Sequence, residues 1–234
     1  MDTIILYEFS GCPFCRKARA ALRYKNIPFT RKIVKTTAEY AELGRLHPGR
    51  QAPVLVQGPN VICDSTDILR YLETNWPKPT LFPGGSNNAA LTHFLEDWAD
   101  EALSWYGSTF RWIDPRNTKV ANKQLKISDA NRGPFAVLFP KIGQFVGRVR
   151  ALSQGIGRRS LEKLEADLVR HIDELSKTLQ NKSYIFGEEI SAADIAIWSQ
   201  LRSLRFCVQE KLAVEHPTLG PYLARMDTVV GDGE

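Results

Sequence analysis

The chain has 234 residues, of which 43% are hydrophobic and 24% charged, and its formal net charge is +5. This length is sufficient for one large or two modest domains with real hydrophobic cores. No run approaches the roughly 20 apolar residues that a membrane-spanning helix needs. The N-terminus lacks the basic region and small-residue cleavage site of a signal peptide. We therefore expect a cytoplasmic protein with no membrane partner.

The positive charge is unevenly distributed. Residues 1–76 hold 11 Lys and Arg against 7 Asp and Glu, so four of the five net positive charges fall there. This excess is compatible with a small anionic ligand, but a solvated basic surface is the favoured interpretation. Net charge affects how a protein associates with other molecules and does not indicate which reaction it catalyses. No basic run with interleaved aromatic residues occurs, so we expect no nucleic-acid partner.

The first third of the chain alternates between strand and helix patterns. Runs of β-branched and aromatic residues predict strands at residues 3–9, 28–34, 53–56 and 60–63. Apolar residues at helical spacing predict helices at residues 13–25, 38–46 and 65–75. This order of elements predicts a mixed sheet covered by helices.

The first strand meets the first helix at Cys12-Pro13-Phe14-Cys15. Pro13 suits the first helical position, where a missing N–H costs nothing. Cys12 is therefore expected at or near the N-cap, facing free backbone N–H groups and the positive end of the helix dipole. A thiol so placed is stabilised as a thiolate, its reactive form. The spacing beside a βαβ pattern is typical of a thioredoxin-like redox site, and two adjacent cysteines without a role are the less favoured interpretation.

Two further cysteines, Cys63 and Cys207, are distant from each other and from the first pair. A four-cysteine zinc site usually needs a second short-spaced pair, so we expect no metal. A disulfide framework is not expected in a reducing compartment. Both are predicted to be small buried apolar residues.

Two short segments border the predicted strands. Gln51-Ala52-Pro53 opens the third strand, and a proline there is an edge or cis-proline signal. A cis bond would leave a backbone N–H and C=O free for an extended peptide ligand. Asp64-Ser65 stands between the fourth strand and a helix, with Ser65 as the predicted N-cap. The turn also offers N–H groups to a carboxylate, and capping alone explains it equally well.

A Pro- and Gly-rich linker follows at residues 77–87, and a helical period takes over in residues 88–234. An amphipathic helix is predicted from Leu161 to Leu179. Residues 115–157 are less regular, since Gly133-Pro134, Pro140 and Gly155-Ile156-Gly157 interrupt them.

A second well-specified helix begins near residue 191. Ser191 and Asp194 form a variant of the capping box, and Ile190 and Ile195 occupy the two staple positions. We expect this helix to run on through Leu204.

These elements, in this order, resemble the cysteine-type glutathione S-transferases over nearly the whole chain. The resemblance implies an α/β thioredoxin-like N-terminal domain at residues 1–76, followed after the linker by an all-α helical domain that contributes the acceptor-substrate pocket. It implies glutathione as co-substrate, with the residue before Pro53 pairing with its cysteinyl backbone and Asp64-Ser65 holding its γ-glutamyl end. The implied catalytic residues are Cys12 and Cys15. The implied glutathione-binding residues are Phe14, Gln51, Ala52, Pro53, Asp64 and Ser65.

Many transferases of the family use Tyr or Ser where this chain has Cys12. The resemblance therefore implies mixed-disulfide chemistry, so the predicted function is that of a glutathione-dependent thiol transferase or disulfide reductase. Its second substrate would be a small thiol, disulfide or electrophile. A hydroxyl role for the nearby Tyr7 or Ser10 stays open, and Lys35 and Arg16 are candidates for the glycyl carboxylate.

Two alternatives belong to other classes of function. One is a conjugating transferase that activates glutathione toward electrophiles, and the other is a non-enzymatic binding module on the same fold. The family also implies a homodimer, although no residue here fixes a dimer contact.

Six aromatic residues follow the linker at helical spacing. In the family this helix borders the acceptor pocket, but aromatic residues so spaced belong more often to the core, which is the favoured interpretation. They are Phe94, Trp98, Trp105, Tyr106, Phe110 and Trp112.

Overall fold

The structure is a computed structural model. It describes the backbone of residues 2–128 and 139–231, and the side chains of these residues outside 124–143. The predicted interruption at Gly133-Pro134 lies outside the described residues. Among the described residues, no helix is both long enough and apolar enough to cross a membrane.

A four-stranded mixed sheet forms the first part of the molecule. Its strands are β1 (Ile4–Glu8), β2 (Phe29–Ile33), β3 (Val54–Gln57) and β4 (Asn60–Cys63), in the spatial order β2-β1-β3-β4. β1 runs parallel to β2 and antiparallel to β3, and β3 and β4 form an antiparallel hairpin. The predicted strands are thus confirmed, with ends that differ by a residue or so.

Three helices cover this sheet: α1 (Pro13–Tyr24), α2 (Thr37–Leu46) and α3 (Ser65–Asn75). The apolar face of α1 supplies Ala18, Ala21 and Leu22 to the core, and each is fully buried. α2 begins with a capping box that the sequence reading missed, in which Thr36 and Glu39 each bind the other's backbone N–H.

The predicted N-cap of α3 was wrong by one residue. Asp64, not Ser65, is the N-cap, and its carboxylate accepts the backbone N–H of Thr66 at 2.7 Å. Both residue types cap well, so propensity alone did not separate them. Ser65 is instead the first helical residue and is buried.

The rest of the described chain is helical. Its α-helices are α4 (Gly85–Trp98), α5 (Ser104–Ile113), α6 (Thr118–Ser128), α7 (Phe139–Ser153), α8 (Leu161–Thr178), α9 (Ala192–Leu201), α10 (Glu210–Val214) and α11 (Leu219–Val230). A π-helical stretch, Ala99–Leu103, joins α4 to α5, and a 3-10 turn at Ile156–Arg158 matches the interruption expected there. Because α4 begins inside the predicted linker, the division into domains stays a prediction.

α9 is the central helix, and all of its residues are buried. Burial on every side is typical of a helix that lies inside a core. The predicted capping box is confirmed: Ser191 accepts the N–H of Asp194, whose carboxylate accepts the N–H of Ser191 at 2.9 Å and that of Ile185 at 3.0 Å. The α-helix ends at Leu201, and a 3-10 turn over Arg202–Leu204 replaces the longer helix that was expected.

Buried polar contacts join α1 to the helical region. Lys17 is fully buried, pairs with Glu96 and Asp100, and donates to Thr66 at 3.0 Å. Arg16 donates through Nη1 to the carbonyl oxygen of Ser199 in α9 at 3.0 Å. These bonds hold the start of α1, and therefore Cys12, in a fixed position relative to α4 and α9.

Candidate active site

Cys12 is the N-cap of α1. Its backbone is extended, with φ −76° and ψ 121°, and Pro13 is the first helical residue as the sequence predicts. The sulfur of Cys12 accepts the backbone N–H of Cys15 at 3.4 Å. Cys12 is half-buried, whereas Cys15 is 1% exposed. Of the two sulfurs, Cys12 is therefore the one that a ligand can approach.

The two thiols have opposite acidities. The hydrogen bond from the Cys15 side chain is the main reason why the pKa of Cys12 is lowered. The backbone N–H groups of Cys15 and Phe14 and the positive charge of Arg16 lower it further, whereas burial raises it. Burial, followed by the Cys12 sulfur, raises the pKa of Cys15 well above its ordinary value. Cys12 is therefore the more acidic thiol of the pair, and Cys15 is the one that keeps its proton.

Three predicted segments meet at one edge of the sheet. Tyr7 near the end of β1 pairs with Val54 at the start of β3, and Val54 pairs with Cys63 at the end of β4. The residues just beyond these three positions lead to Cys12, to Ala52-Pro53 and to Asp64 respectively. The strand register thus brings together residues that are far apart in sequence.

Ala52 lies close to the thiol. Its carbonyl oxygen lies 3.9 Å from Cys12 Sγ, and the Ala52-Pro53 peptide bond is cis. Pro53 is buried, while Gln51 is exposed. Asp64 adopts φ 78°, in the left-handed region that L-residues other than Asn and Asp rarely visit. This edge of the sheet therefore presents the backbone around Ala52 and the Asp64 turn close to Cys12.

On another side of Cys12 lies a cavity of about 470 Å³. Its walls come from the β1–α1 loop, α1 and β2 and from α5, α6 and the Arg202–Phe206 segment. Phe14, Gln51, Ala52, Pro53, Asp64 and Ser65 are not among its lining residues. Cys12 is therefore the predicted site residue that belongs both to the sheet edge and to the cavity.

The cavity is strongly cationic. Among the residues whose side chains the structure describes, one acidic side chain, Glu8, lines it together with eight cationic ones: Arg16, Arg19, Arg31, Arg111, Lys119, Lys123, Arg202 and Arg205. Five of the eight come from beyond residue 87, where net charge is close to zero. Sequence reasoning missed them for that reason, although the spacings of Lys119 to Lys123 and of Arg202 to Arg205 place each pair on one helical face.

The hydroxyl and carboxylate-binding candidates are dispersed. Tyr7 is buried and donates to Glu42 at 2.7 Å, and burial raises the pKa of Tyr7, so its hydroxyl is engaged away from the thiol. Ser10 lines the cavity beside Cys12. Lys35 is exposed, and Arg16 faces the cavity rather than the Ala52 backbone.

The aromatic residues of α4 and α5 have mixed environments. Tyr106 and Phe110 are buried in the core, as the favoured interpretation predicts, whereas Phe94 is 73% exposed and the prediction was wrong there. None of the six aromatic residues lines the cavity. The aromatic wall comes instead from Phe9 and Phe206, which sequence reasoning did not single out.

The two remaining cysteines differ in burial. Cys207 is buried as predicted, whereas Cys63 is only half-buried, so the prediction was wrong in part. Burial raises the pKa of both thiols. Within the part of the chain that the structure describes, no group of three or more His, Cys, Asp or Glu is arranged to hold a metal ion.

Family models match both ends of the chain. The glutathione S-transferase N-terminal domain matches residues 6–80, and the glutathione S-transferase C-terminal domain matches residues 150–225, together more than half of the chain. The chain belongs to the glutathione S-transferase family. The predicted fold class, a thioredoxin-like α/β unit followed by a helical region, is thereby confirmed.

Individual relatives are distant. Glutathione S-transferase L2, chloroplastic, of Arabidopsis thaliana is 24% identical over 184 residues, which is 74% of this chain but only 62% of that relative. The isoprene-epoxide–glutathione S-transferase of Rhodococcus sp. (strain AD45) is 26% identical over 92% of this chain and 90% of its own. A glutathione S-transferase of Methylobacterium radiotolerans, solved with glutathione sulfonate, has a TM-score of 0.63 at 19% identity, covering 99% of this chain and 94% of that one. The last likeness concerns the fold alone.

Proposed function

We propose that this family member is a glutathione-dependent thiol transferase that acts through a mixed disulfide at Cys12. The observation that carries the proposal is the lowered pKa of a half-buried Cys12 beside a Cys15 that keeps its proton. A lowered pKa increases the fraction of the thiol that is ionised, and the thiolate is the form that attacks a sulfur.

The first half-reaction is a thiol–disulfide exchange. The Cys12 thiolate attacks the glutathionyl sulfur of a mixed disulfide between glutathione and a second thiol. A bond forms between Cys12 and glutathione, the original S–S bond breaks, and the second thiol leaves as its thiolate. In this step the Cys15 side chain and the N–H groups at the start of α1 hold the attacking charge on Cys12 until the bond forms.

The second half-reaction regenerates the enzyme. A further glutathione thiolate attacks the glutathionyl sulfur bound to Cys12, so oxidised glutathione leaves and the Cys12 thiolate returns. Cys15 is poorly suited to this attack, because its raised pKa leaves it protonated. We therefore assign the resolving step to free glutathione and a supporting role to Cys15.

We place glutathione on the Ala52 side of Cys12. Ala52 offers a backbone carbonyl close to the sulfur, and the start of α3 after Asp64 presents helix N-terminal N–H groups of the kind that bind a carboxylate. The second substrate then occupies the cavity on the other side of Cys12. Glutathione sulfonate is bound by the Methylobacterium radiotolerans relative, which supports a glutathione site in this fold.

Conjugation of glutathione to an electrophile is the second candidate. It is favoured by the Rhodococcus relative, whose name describes an isoprene-epoxide–glutathione S-transferase. In that case bound glutathione is itself the thiolate, and Ser10, which lines the cavity beside Cys12, is the available hydroxyl. Cys12 is then not required as a nucleophile.

Matched cysteine variants separate the two candidates. For the thiol transferase, Cys12→Ser abolishes reduction of a glutathione mixed disulfide, while Cys15→Ser, which keeps a hydrogen-bond donor, retains much of it. Conjugation of glutathione to an aromatic halide is measured on the same two variants. Full disulfide reductase activity in Cys12→Ser would reject the proposal, and conjugation that survives without Cys12 would favour the second candidate. Absence of glutathione binding by calorimetry would favour a non-enzymatic module.

A further inference from the structure

In the described part of the chain, the cations in the wall of the cavity beside Cys12 outnumber the carboxylates that pair with them. Glu8 is the acidic side chain among the described lining residues, and it pairs with Arg19 and Arg31. Outside the wall, Asp227 pairs with Arg202. The carboxylates of Glu8 and Asp227 thus form ion pairs with three of the eight cations.

Four other cations of the wall have no acidic partner within the described residues: Arg16, Arg111, Lys119 and Lys123. Arg16 is 6% exposed and donates through one nitrogen to a backbone carbonyl, while its Nε has no hydrogen-bond partner. The Nε of Arg111 is likewise buried without one. A buried cation without a counter-charge is unfavourable, so this wall is arranged for an anion.

The electrostatics of Arg16 agree with this arrangement. Burial, followed by the neighbouring charges of Arg19 and Arg111, lowers the pKa of Arg16 to about 10. The one negative group among the contributors to its pKa is Cys12. An anion in the cavity would relieve the repulsion among these three arginines.

The cavity also has an apolar side. Phe9, Ile33, Val120 and Phe206 line it, and the Phe206 ring is 55% exposed. Lys123 Nζ and the Arg205 guanidinium each lie 5.2 Å from the centre of that ring. An apolar body can therefore lie against Phe206 while its charged end meets the cations.

We propose that the second substrate is a small organic anion, whose carboxylate, sulfonate or phosphate is held by the cations of this cavity while its sulfur faces Cys12. The inference rests on the proposed function, because it identifies the thiol that leaves the mixed disulfide when Cys12 attacks. Glutathione is an anion as well, but its expected contacts at Gln51, Ala52 and Asp64 lie outside the cavity.

Three mixed disulfides of glutathione test the charge preference directly. They carry 2-mercaptoethanesulfonate, 2-mercaptoethanol or cysteamine, which are similar in size but anionic, neutral and cationic. We expect kcat/KM to be about tenfold higher for the sulfonate than for the neutral disulfide, lower still for the cationic one, and the differences to shrink with added salt. Equal values for all three would overturn the proposal while leaving the thiol transferase function in place.

Paired variants locate the preference in the cavity. Replacing both exposed lysines of the wall, Lys119→Gln with Lys123→Gln, is expected to reduce the sulfonate-to-neutral ratio of kcat/KM to about threefold. The matched control replaces two exposed lysines of α8, Lys163→Gln with Lys177→Gln, and leaves the ratio unchanged. An equal effect of both pairs would contradict the assignment, since it would trace the preference to overall charge.

Alkylation of Cys12 distinguishes failure of this inference from failure of the proposed function. Iodoacetate and iodoacetamide both alkylate the thiolate and release iodide, and they differ mainly in charge. We measure the rate of Cys12 alkylation by mass spectrometry and divide the iodoacetate rate by the iodoacetamide rate. We expect this ratio to be about tenfold higher than for free glutathione and to fall when Lys119→Gln and Lys123→Gln are combined. If no mixed disulfide is turned over, the function is rejected and this ratio alone decides whether the cavity selects anions. A ratio equal to that of glutathione overturns the inference.

Discussion

Arg16 follows Cys12 by one turn of α1, and its backbone N–H donates to the Cys12 carbonyl oxygen at 3.0 Å. Its side chain is buried in the wall of the cavity and favours the Cys12 thiolate through its positive charge. One residue thus connects the acidity of the thiol with the place where we put the second substrate.

The acidity of Cys12 depends mainly on Cys15. We expect Cys15→Ala to raise the Cys12 pKa, because it removes the side-chain hydrogen bond that contributes most to lowering it. The rate of Cys12 alkylation by iodoacetamide, measured against pH, should therefore reach half its maximum at higher pH than in the wild type. Cys15→Ser keeps a donor and should show a smaller shift. An unchanged profile in Cys15→Ala would show that the helix N-terminus alone sets the acidity.

The charge of Asp64 can be separated from its capping role. Asn caps helices as well as Asp does and tolerates the positive φ of this position. Asp64→Asn should therefore preserve the melting temperature while raising the KM for glutathione about tenfold, since a charge-assisted contact to the γ-glutamyl ammonium is lost. Asp64→Ala is the contrasting variant, in which the melting temperature should fall and the KM for glutathione should rise. An unchanged KM in Asp64→Asn would remove Asp64 from the glutathione site.

Two capping boxes of the same design differ in burial. Glu39 at α2 is only half-buried, whereas Asp194 at α9 is fully buried and accepts N–H groups of Ile185 and Ser191. We expect Glu39→Ala to lower the free energy of unfolding by about 1 kcal/mol, and Asp194→Ala by about 3 kcal/mol, because it leaves buried donors unpaired. Chemical denaturation measures both. Equal losses would contradict the role of burial.

Lys17 of α1 neutralises two buried carboxylates, Glu96 of α4 and Asp100 of the π-helical stretch that follows it. Lys17→Met should lower the free energy of unfolding by about 3–5 kcal/mol, since it leaves Glu96 and Asp100 without their cation. Burial already raises the pKa of Asp100, so the fold favours its protonated form and loses stability as pH rises above the unfolded-state pKa. The loss in Lys17→Met should therefore be larger at pH 8 than at pH 5.

A second substitution provides the control for this network. Adding Asp100→Asn to Lys17→Met removes one of the uncompensated charges, so part of the lost stability and most of the pH dependence should return. A loss of equal size at both pH values would indicate that packing of the lysine stem, rather than charge, explains the effect of Lys17→Met.

Local signals were sufficient for much of the fold. The strands follow from β-branched and aromatic runs, and the start of α9 from Ser191 and Asp194, because a capping box lies within four consecutive residues. The N-cap position of Cys12 was equally local, since Pro13 fixes the first helical residue. The N-cap of α3 was misassigned because Asp64 and Ser65 have nearly equal capping preference and only the backbone conformation separates them.

Properties that arise from tertiary packing were not readable from the sequence. The cations Arg111, Lys119 and Arg202 are widely spaced along the chain and are offset there by nearby acids, so no count of charge revealed the wall they form with Arg16. Phe94 has the spacing of a core residue but lies on the exposed side of α4. Periodicity alone does not tell which apolar side chain is left uncovered.

The central claim is that Cys12 accepts the glutathionyl group, and the mass of the protein tests it most directly. The wild type is incubated with a glutathione mixed disulfide in the absence of free glutathione, digested and analysed by mass spectrometry. We predict one glutathionyl group on the peptide that carries Cys12, also formed in Cys15→Ser, and released when glutathione is added. A Cys12 peptide of unchanged mass, with the disulfide still being reduced once glutathione is supplied, would contradict the account.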